Sequence, residues 1–246
     1  MQRTFSILVV LVAQVIGLGR CALADDNRAP EGFVALFNGK DLTGWHGGVR
    51  IDHVLAAQSE GGDKAALAKE QSQADDLMLQ HWQVVDGALV NDGKGTNLAT
   101  QEHFGNFELL VDWKINPKGD SGIYLRGIPQ VQIWDSMTVN EKQFAREKNK
   151  GSGALWNNKK LEDKIPSQFA DREPGQWNTF HITMVGDKVT VELNDKKVVD
   201  QVTLDNLWEP GKRAPVKGPI ELQYHPNQDG VADNLYFKNI YIKKLP

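Results

Sequence analysis

Cysteine is almost missing from this 246-residue chain, occurring once, at Cys21. A disulfide framework is therefore excluded, and so is thiol chemistry anywhere beyond the first residues. Histidine is sparse as well, and the six histidines form no H-x-H or H-x3-H pair that would supply metal ligands at local spacing. Positive charge is not in excess: 28 Lys and Arg stand against 32 Asp and Glu, a balance with little claim on nucleic acid. No apolar run reaches the ~20 residues needed to cross a bilayer as a helix. Internal repeats and low-complexity tracts are lacking too, and Gly151-Ser-Gly-Ala-Leu-Trp-Asn-Asn158 lacks the Lys-Ser/Thr ending of a phosphate loop.

What is present begins with a leader. Met1-Gln-Arg3 is followed by an apolar run from Ile7 to Ile16 and by Ala22-Leu-Ala24 ahead of Asp25-Asp26. This is the pattern of a secretory signal peptide over residues 1–24 with an A-x-A cleavage site, and it predicts an exported, periplasmic or extracellular protein with no transmembrane segment in its mature form. Arg20, immediately before Cys21, argues against a lipid anchor on that cysteine. Residues 25–30 read as a short linker, and 31–246 suit one large β-domain better than two compact ones.

From about residue 82 onward, short alternating or apolar runs are punctuated by Gly, Asn, Asp and Pro, the signature of an antiparallel sandwich or barrel. Asp86-Gly87, Gly186-Asp187 and Asn194-Asp195 mark hairpin turns. In Phe107–Ile115, Phe107, Leu109, Val111 and Trp113 alternate with Glu108, Leu110, Asp112 and Lys114, so one face is core. Residues 62–80, rich in Ala, Leu, Lys, Glu and Gln, predict a helical insertion. Residues 136–150 read as a polar excursion that includes room for a short helix, and Gly151–Asn158 reads as a flexible approach to a groove. Trp45, Trp82, Trp113 and Trp177 read as core, whereas Trp134 and Trp156 suit stacking on a sugar ring.

The run Asp120-Ser-Gly-Ile-Tyr-Leu-Arg126-Gly-Ile-Pro-Gln-Val-Gln132-Ile-Trp-Asp135 reads as two strands carrying polar residues that an ordinary β-core would not choose. Alternation places Tyr124 and Arg126 on one face, and Gln130, Gln132 and Trp134 on one face of the second strand. Asp135 falls on the opposite face and enters a groove only through a bulge or strand end. Near the end of the chain Glu221, Gln223 and His225 share a face. Amides, a carboxylate, a guanidinium and aromatic rings together suit a hydroxyl-rich ligand.

Several of these segments, in order, resemble the 3-keto-disaccharide hydrolase domain family: Gly32–Trp45, Trp82–Leu89, Asn106–Leu109, Asp120–Arg126, Val131–Asp135, Gln176–Asn178, Gly218–Gln223 and Asn239–Ile242. The resemblance implies an all-β, concanavalin A-like jelly-roll sandwich of two curved antiparallel sheets with a carbohydrate groove on the concave sheet. It also implies cleavage of glycosides already oxidised to a ketone at C3. Such a ketone acidifies the hydrogen at C2, so the group at C1 can be eliminated and water can add afterwards. The chemistry calls for a base, a partner for the enolate oxygen and an acid for the departing oxygen.

On that basis Asp112, Arg126, Asp135 and His225 are the candidate catalytic residues, Arg126 as the enolate partner. Tyr124, Gln132, Trp134, Trp156, Glu221 and Gln223 are the candidate substrate-binding residues. A divalent metal is compatible with this set but not required by it. Glu108 and Asp112, four residues apart on a strand, lie roughly 13 Å from each other, too far for the carboxylate pair of an ordinary glycosidase. The other reading is a carbohydrate-binding or cell-surface interaction module with a groove and no turnover, and a purely structural sandwich is a third.

Overall fold

The computed structural model describes residues 26–138, 151–226 and 235–246. Two antiparallel sheets pack face to face. The larger, eight-stranded sheet runs β11 (Lys196–Thr203), β10 (Lys188–Leu193), β9 (Asn178–Val185), β6 (Phe107–Ile115), β13 (Leu235–Lys244), β4 (Ala88–Asn91), β3 (Trp82–Val85), with β1 (Val34–Ala35) also paired to β13. The smaller runs β2 (Trp45–Gly47), β5 (Leu98–Thr100), β12 (Ile220–Leu222), β7 (Asp120–Leu125), β8 (Ile128–Trp134). This is the all-β jelly-roll sandwich that the resemblance implies, and one of the two antiparallel architectures, sandwich or barrel, that the alternating runs predict.

The core lies between the sheets because each supplies one apolar face. Phe107, Leu109, Val111, Trp113 and Ile115 of β6 are buried against Ile123, Leu125, Val131, Ile133, Ile220 and Leu222 of the smaller sheet. Strand parity then assigns every intervening residue to an outer face. Asp86-Gly87 and Asn194-Asp195 have positive φ at both positions, as two-residue hairpin turns of the right twist require. The β7–β8 hairpin turns the same way, at Arg126 (φ 55°) and Gly127 (φ 73°).

Among the described residues, two α-helices interrupt the strands. The helix expected over 62–80 is α2 (Lys64–His81), and it is preceded by α1 (Ile51–Gln58), which the sequence does not announce. Asp63 caps α2 by accepting from the Ala66 N–H at 2.8 Å, whereas Arg50 gives α1 no side-chain cap, so its start carries no sequence signal. Trp45, Trp82 and Trp113 are core residues as expected. Trp177 is not: it lies half-buried on the outer face of the large sheet, edge-on to Tyr236 with the Lys114 and Lys238 ammonium groups over its ring.

Residues 151–158 also depart from the expectation of flexibility. Gly153 donates to the Gln132 carbonyl at 2.8 Å, Gln132 donates to the Ala154 carbonyl at 3.0 Å, and Leu155 bridges Val131, so the segment is laced to β8. The polar excursion lies outside the described residues over 139–150.

Helix α2 docks on β2 through Gly47. Its N–H donates to Asp75 Oδ1 at 2.9 Å and its carbonyl accepts from Gln71 Nε2 at 2.9 Å. A methyl group at position 47 would sit 2.1 Å from the Ala74 carbonyl oxygen, which is backbone and cannot yield. Gly47→Ala is therefore expected to cost about 1–3 kcal/mol and to lower the midpoint of thermal unfolding measured by circular dichroism.

Candidate carbohydrate cleft

On the side of the smaller sheet turned away from the core, β7 and β8 place Asp120, Tyr124, Gln130 and Gln132 on a common face. Together with Trp156, Asn157, Leu207, Gln223 and His225 they line a cleft of about 190 Å3. Gly122 makes this floor possible. It lies between Asp120 and Tyr124 and opposite Gln132, and a Cβ there would lie 2.7 Å from Gln130 Cδ.

The amides on the floor form an oriented chain. Gln130 Nε2 donates to Gln132 Oε1, and Gln132 Nε2 donates to Asp120 Oδ1 at 2.7 Å and to the Ser121 and Ile133 carbonyls at 3.0 Å. Both Gln130 and Gln132 are buried, so these bonds fix their orientation. Trp156 forms one wall, held edge-on against Trp134 at a centroid distance of 4.8 Å. Trp134 itself is buried behind it, donating its indole N–H to the Gly151 carbonyl at 3.0 Å. It supports the platform rather than lining the cleft.

Gln223 extends β12 by donating its backbone N–H to the Gly122 carbonyl, and its side chain donates to Tyr124 Oη at 3.2 Å. Burial pushes the Tyr124 pKa up to about 12, so the hydroxyl keeps its proton at neutral pH. Gln223 Oε1 and Asn157 Oδ1 are buried without a protein partner. Both are acceptors, and an unmet buried acceptor favours a ligand that brings hydroxyl donors. His225 reaches the cleft from the end of this strand, with Nδ1 3.2 Å from the Pro226 carbonyl. Among the described residues, no Lys or Arg lines the cleft.

Glu221 lies on the same face, one step back. Its Cα partner on β7 is Tyr124 and on β5 is Ala99. It is 3% exposed; Oε2 accepts from Asn97 Nδ2 at 2.9 Å, and Oε1 has no protein partner. Burial raises its pKa from 4.5 to about 7, with the Asn97 bond pulling weakly the other way.

Three sequence candidates are placed elsewhere. Asp112 projects from the outer face of the large sheet, accepting from Thr179 Oγ1 at 2.6 Å and Asn239 Nδ2 at 2.7 Å. Parity on β6 was right, but the face opposite its core side belongs to the other sheet from the cleft. Arg126 is a correction of a different kind. Strand β7 ends at Leu125, so residue 126 is a turn residue that no longer follows the parity of Tyr124. Its guanidinium, 3% exposed, donates to the Gly105 carbonyl at 2.8 Å, the Pro215 carbonyl at 3.1 Å and Asn106 Oδ1 at 3.2 Å. It ties loops together and does not line the cleft. Asp135 accepts from the N–H groups of Lys118, Met137 and Thr138 and from the Thr138 hydroxyl, which organises the turn beyond β8.

Tyr124, Gln132, Trp156, Gln223 and His225 thus share the cleft, with Glu221 and Trp134 behind its walls. Asp120 shares the parity of Tyr124, and this was the signal in the sequence for a cleft residue outside the candidate set. Asn97 and Asn157 sit in loops, where no periodicity points to them. Among the described residues no three His, Cys, Asp or Glu side chains are grouped to hold a metal ion.

A sandwich with a polar, aromatic-walled cleft on one sheet is the architecture of a carbohydrate-active protein. Residues 32–243 match the 3-keto-alpha-glucoside-1,2-lyase-like domain, and the chain belongs to that family. The 3-keto-disaccharide hydrolase of Bacteroides thetaiotaomicron is 22% identical over 260 residues, covering 87% of this chain and 79% of that protein. A solved structure of a candidate glycosyl hydrolase from Parabacteroides distasonis superposes with a TM-score of 0.60 at 24% identity, covering 90% of this chain and all of that one. A second from the same organism has a TM-score of 0.53 at 25% identity, covering 68% and 91% of the two chains.

Glu221 makes stability depend on pH in a defined direction. Between 4.5 and about 7 the folded chain holds a proton that the unfolded chain has released, so stability falls as pH rises through this window and levels off above it. The full effect is on the order of 3 kcal/mol. Urea titrations from pH 4.5 to pH 8 are expected to show this decline, and Glu221→Gln to flatten it. Arg126→Ala is expected to lower stability by about 2–4 kcal/mol, since the Gly105 and Pro215 carbonyls lose their donor while Asn106 Oδ1 keeps the Gly186 N–H. Asp112→Asn is expected to leave ligand binding in the cleft unchanged by calorimetry.

Proposed function

We propose that this protein is an exported enzyme that cleaves 3-keto-glycosides in the cleft on the smaller sheet, by proton removal at C2 followed by elimination or net hydrolysis. The observation that carries the reading is the cleft's polarity: buried acceptors without protein partners on Gln223 and Asn157, beside the Trp156 ring, in a chain of the 3-keto-alpha-glucoside-1,2-lyase-like family. The Bacteroides relative, named for 3-keto-disaccharide hydrolysis, supports the substrate class. The leader over residues 1–24 supports export.

A carboxyl and an imidazole line the cleft, those of Asp120 and His225, and these are the side-chain types that serve as general acid and base. In the reaction one takes the C2 proton, and the electron pair of the C–H bond passes into the enolate of the C3 ketone. The enolate then collapses, forming the C1–C2 double bond and expelling the C1 oxygen substituent, which takes a proton from the other group. Addition of water across the double bond, with oxygen bonding to C1 and a proton returning to C2, restores the keto-sugar and makes the net reaction a hydrolysis. With Arg126 engaged elsewhere, the enolate oxygen is met by a neutral donor, and Tyr124, protonated throughout, is suited to that part. Trp156 offers a flat apolar face to the ring, and the unpaired acceptors receive sugar hydroxyls.

Purified protein incubated with 3-keto-disaccharides, with and without added divalent metal, is expected to release the free sugars, followed by chromatography. Asp120→Asn and His225→Asn are each expected to slow release by about 100-fold or more while leaving the unfolding transition in place. Tight calorimetric binding of unmodified oligosaccharides with no turnover of any keto-sugar would instead identify a binding module.

A further inference from the structure

The cleft wall formed by Tyr124 and Gln223 is backed by a carboxyl group that the chemistry above does not use. Glu221 faces the same side as these two residues, and it is enclosed by every element around it. Tyr124 lies across on β7 and Ala99 across on β5, with His46 of β2 beyond Ala99. Asn97 donates to Oε2 and also bonds with the Tyr124 hydroxyl. The Gly48 backbone covers the carboxyl so closely that a Cβ there would come within 3.2 Å of Oε2. Along its own strand follow Gln223, Tyr224 and His225. The titratable groups of this neighbourhood are therefore Tyr124, Tyr224, His46 and His225, and no Lys or Arg forms an ion pair with Glu221 among the described residues.

A carboxylate in this position has one donor, Asn97 Nδ2, for its two oxygens. Ionisation would leave Oε1 with a buried charge and no donor. The donors within the same network are the Tyr124 hydroxyl and the Gln223 amide, both of which now serve the cleft. A neutral carboxyl buries no charge and so makes a far weaker demand on these donors.

Resting on the proposed reading of the cleft, we propose that Glu221 is a positioning residue that acts in its protonated form: neutral, it lets Asn97, Tyr124 and Gln223 present their polar groups to the sugar, and ionised, it draws them away. The site then loses the Tyr124 donor and the Gln223 amide as pH rises, while Asp120 and His225 keep their places. The elevated proton affinity caused by burial places this transition near neutrality.

The test pairs two readouts on the full-length protein and on Glu221→Gln, which mimics the neutral form. Side-chain amide resonances of Asn97 and Gln223 are followed by two-dimensional NMR from about pH 5.5 to about pH 8.5, and an infrared carboxylic-acid band absent from Glu221→Gln reports the protonation of Glu221 itself. Turnover of a 3-keto-disaccharide is measured over the same range. The amides of the wild-type protein are expected to shift as the carboxylic-acid band disappears, and kcat/KM to fall by about tenfold or more with them. In Glu221→Gln the amides are expected to stay flat, and the alkaline limb to lose the component that follows the carboxylic-acid band, keeping only that of the general acid. An identical alkaline limb in both proteins, or amides that ignore the loss of the band, overturns the proposal. Amides that track Glu221 while no keto-sugar is consumed at any pH would uphold the coupling of Glu221 to the wall and remove the enzymatic reading of the cleft.

Discussion

The smaller sheet is buried on both faces, and the need to satisfy polar groups there governs the rest of the molecule. All seven residues of β8 are buried, although three of its side chains are amides or an indole. One side meets the sandwich core. The other meets loops, so each amide on it has to find a fixed partner. Gln130, Gln132 and Asp120 accordingly bond to one another in sequence, Trp134 bonds to Gly151, and the 151–155 segment is held against β8 by backbone pairing. A cleft with rigid walls results. The few acceptors left over mark the place where something other than protein completes the pattern.

Rigidity of this kind separates residues that hold the site from those that meet a ligand. Arg126, which chemistry alone would nominate for an enolate, is wholly occupied with main-chain carbonyls and an asparagine side chain. Asp135 is likewise consumed by the turn it organises. The proton-transfer equipment that remains is modest, a carboxylate and an imidazole at the edge of a polar floor, with a tyrosine hydroxyl between amides. That suits a substrate whose ketone already makes one hydrogen acidic, and it would be poor equipment for an unactivated glycoside, which needs two carboxylates at close, controlled separation.

Strand periodicity made much of this legible. The alternation in Tyr124, Gln132 and Gln223 put the right side chains on the right faces, and Asn-Asp and Asp-Gly pairs announced their turns. It failed where the physics is not periodic. Residue 126 lies in a turn, so parity carried from Tyr124 no longer applied. Asp112 was given the correct face of its own strand, but a single strand does not reveal on which side of a two-layer stack its polar face emerges. Asn97 and Asn157 come from loops, and α1 begins without a capping side chain. Their positions follow from tertiary packing alone.

The large sheet is joined through its last strand. On one edge β13 pairs with β6, and on the other it pairs first with β4 and then with β1. Without Leu235–Lys244, the β6–β9–β10–β11 group and the β3–β4 hairpin share no strand pairing among the described residues, and β1 has no strand partner there. Synthesis from the N-terminus therefore yields a four-stranded group, a hairpin and an unpaired β1, and the ten-residue β13 unites them. The domain is assembled late by its wiring, and an unfinished chain stays unlocked along the line where β13 will lie.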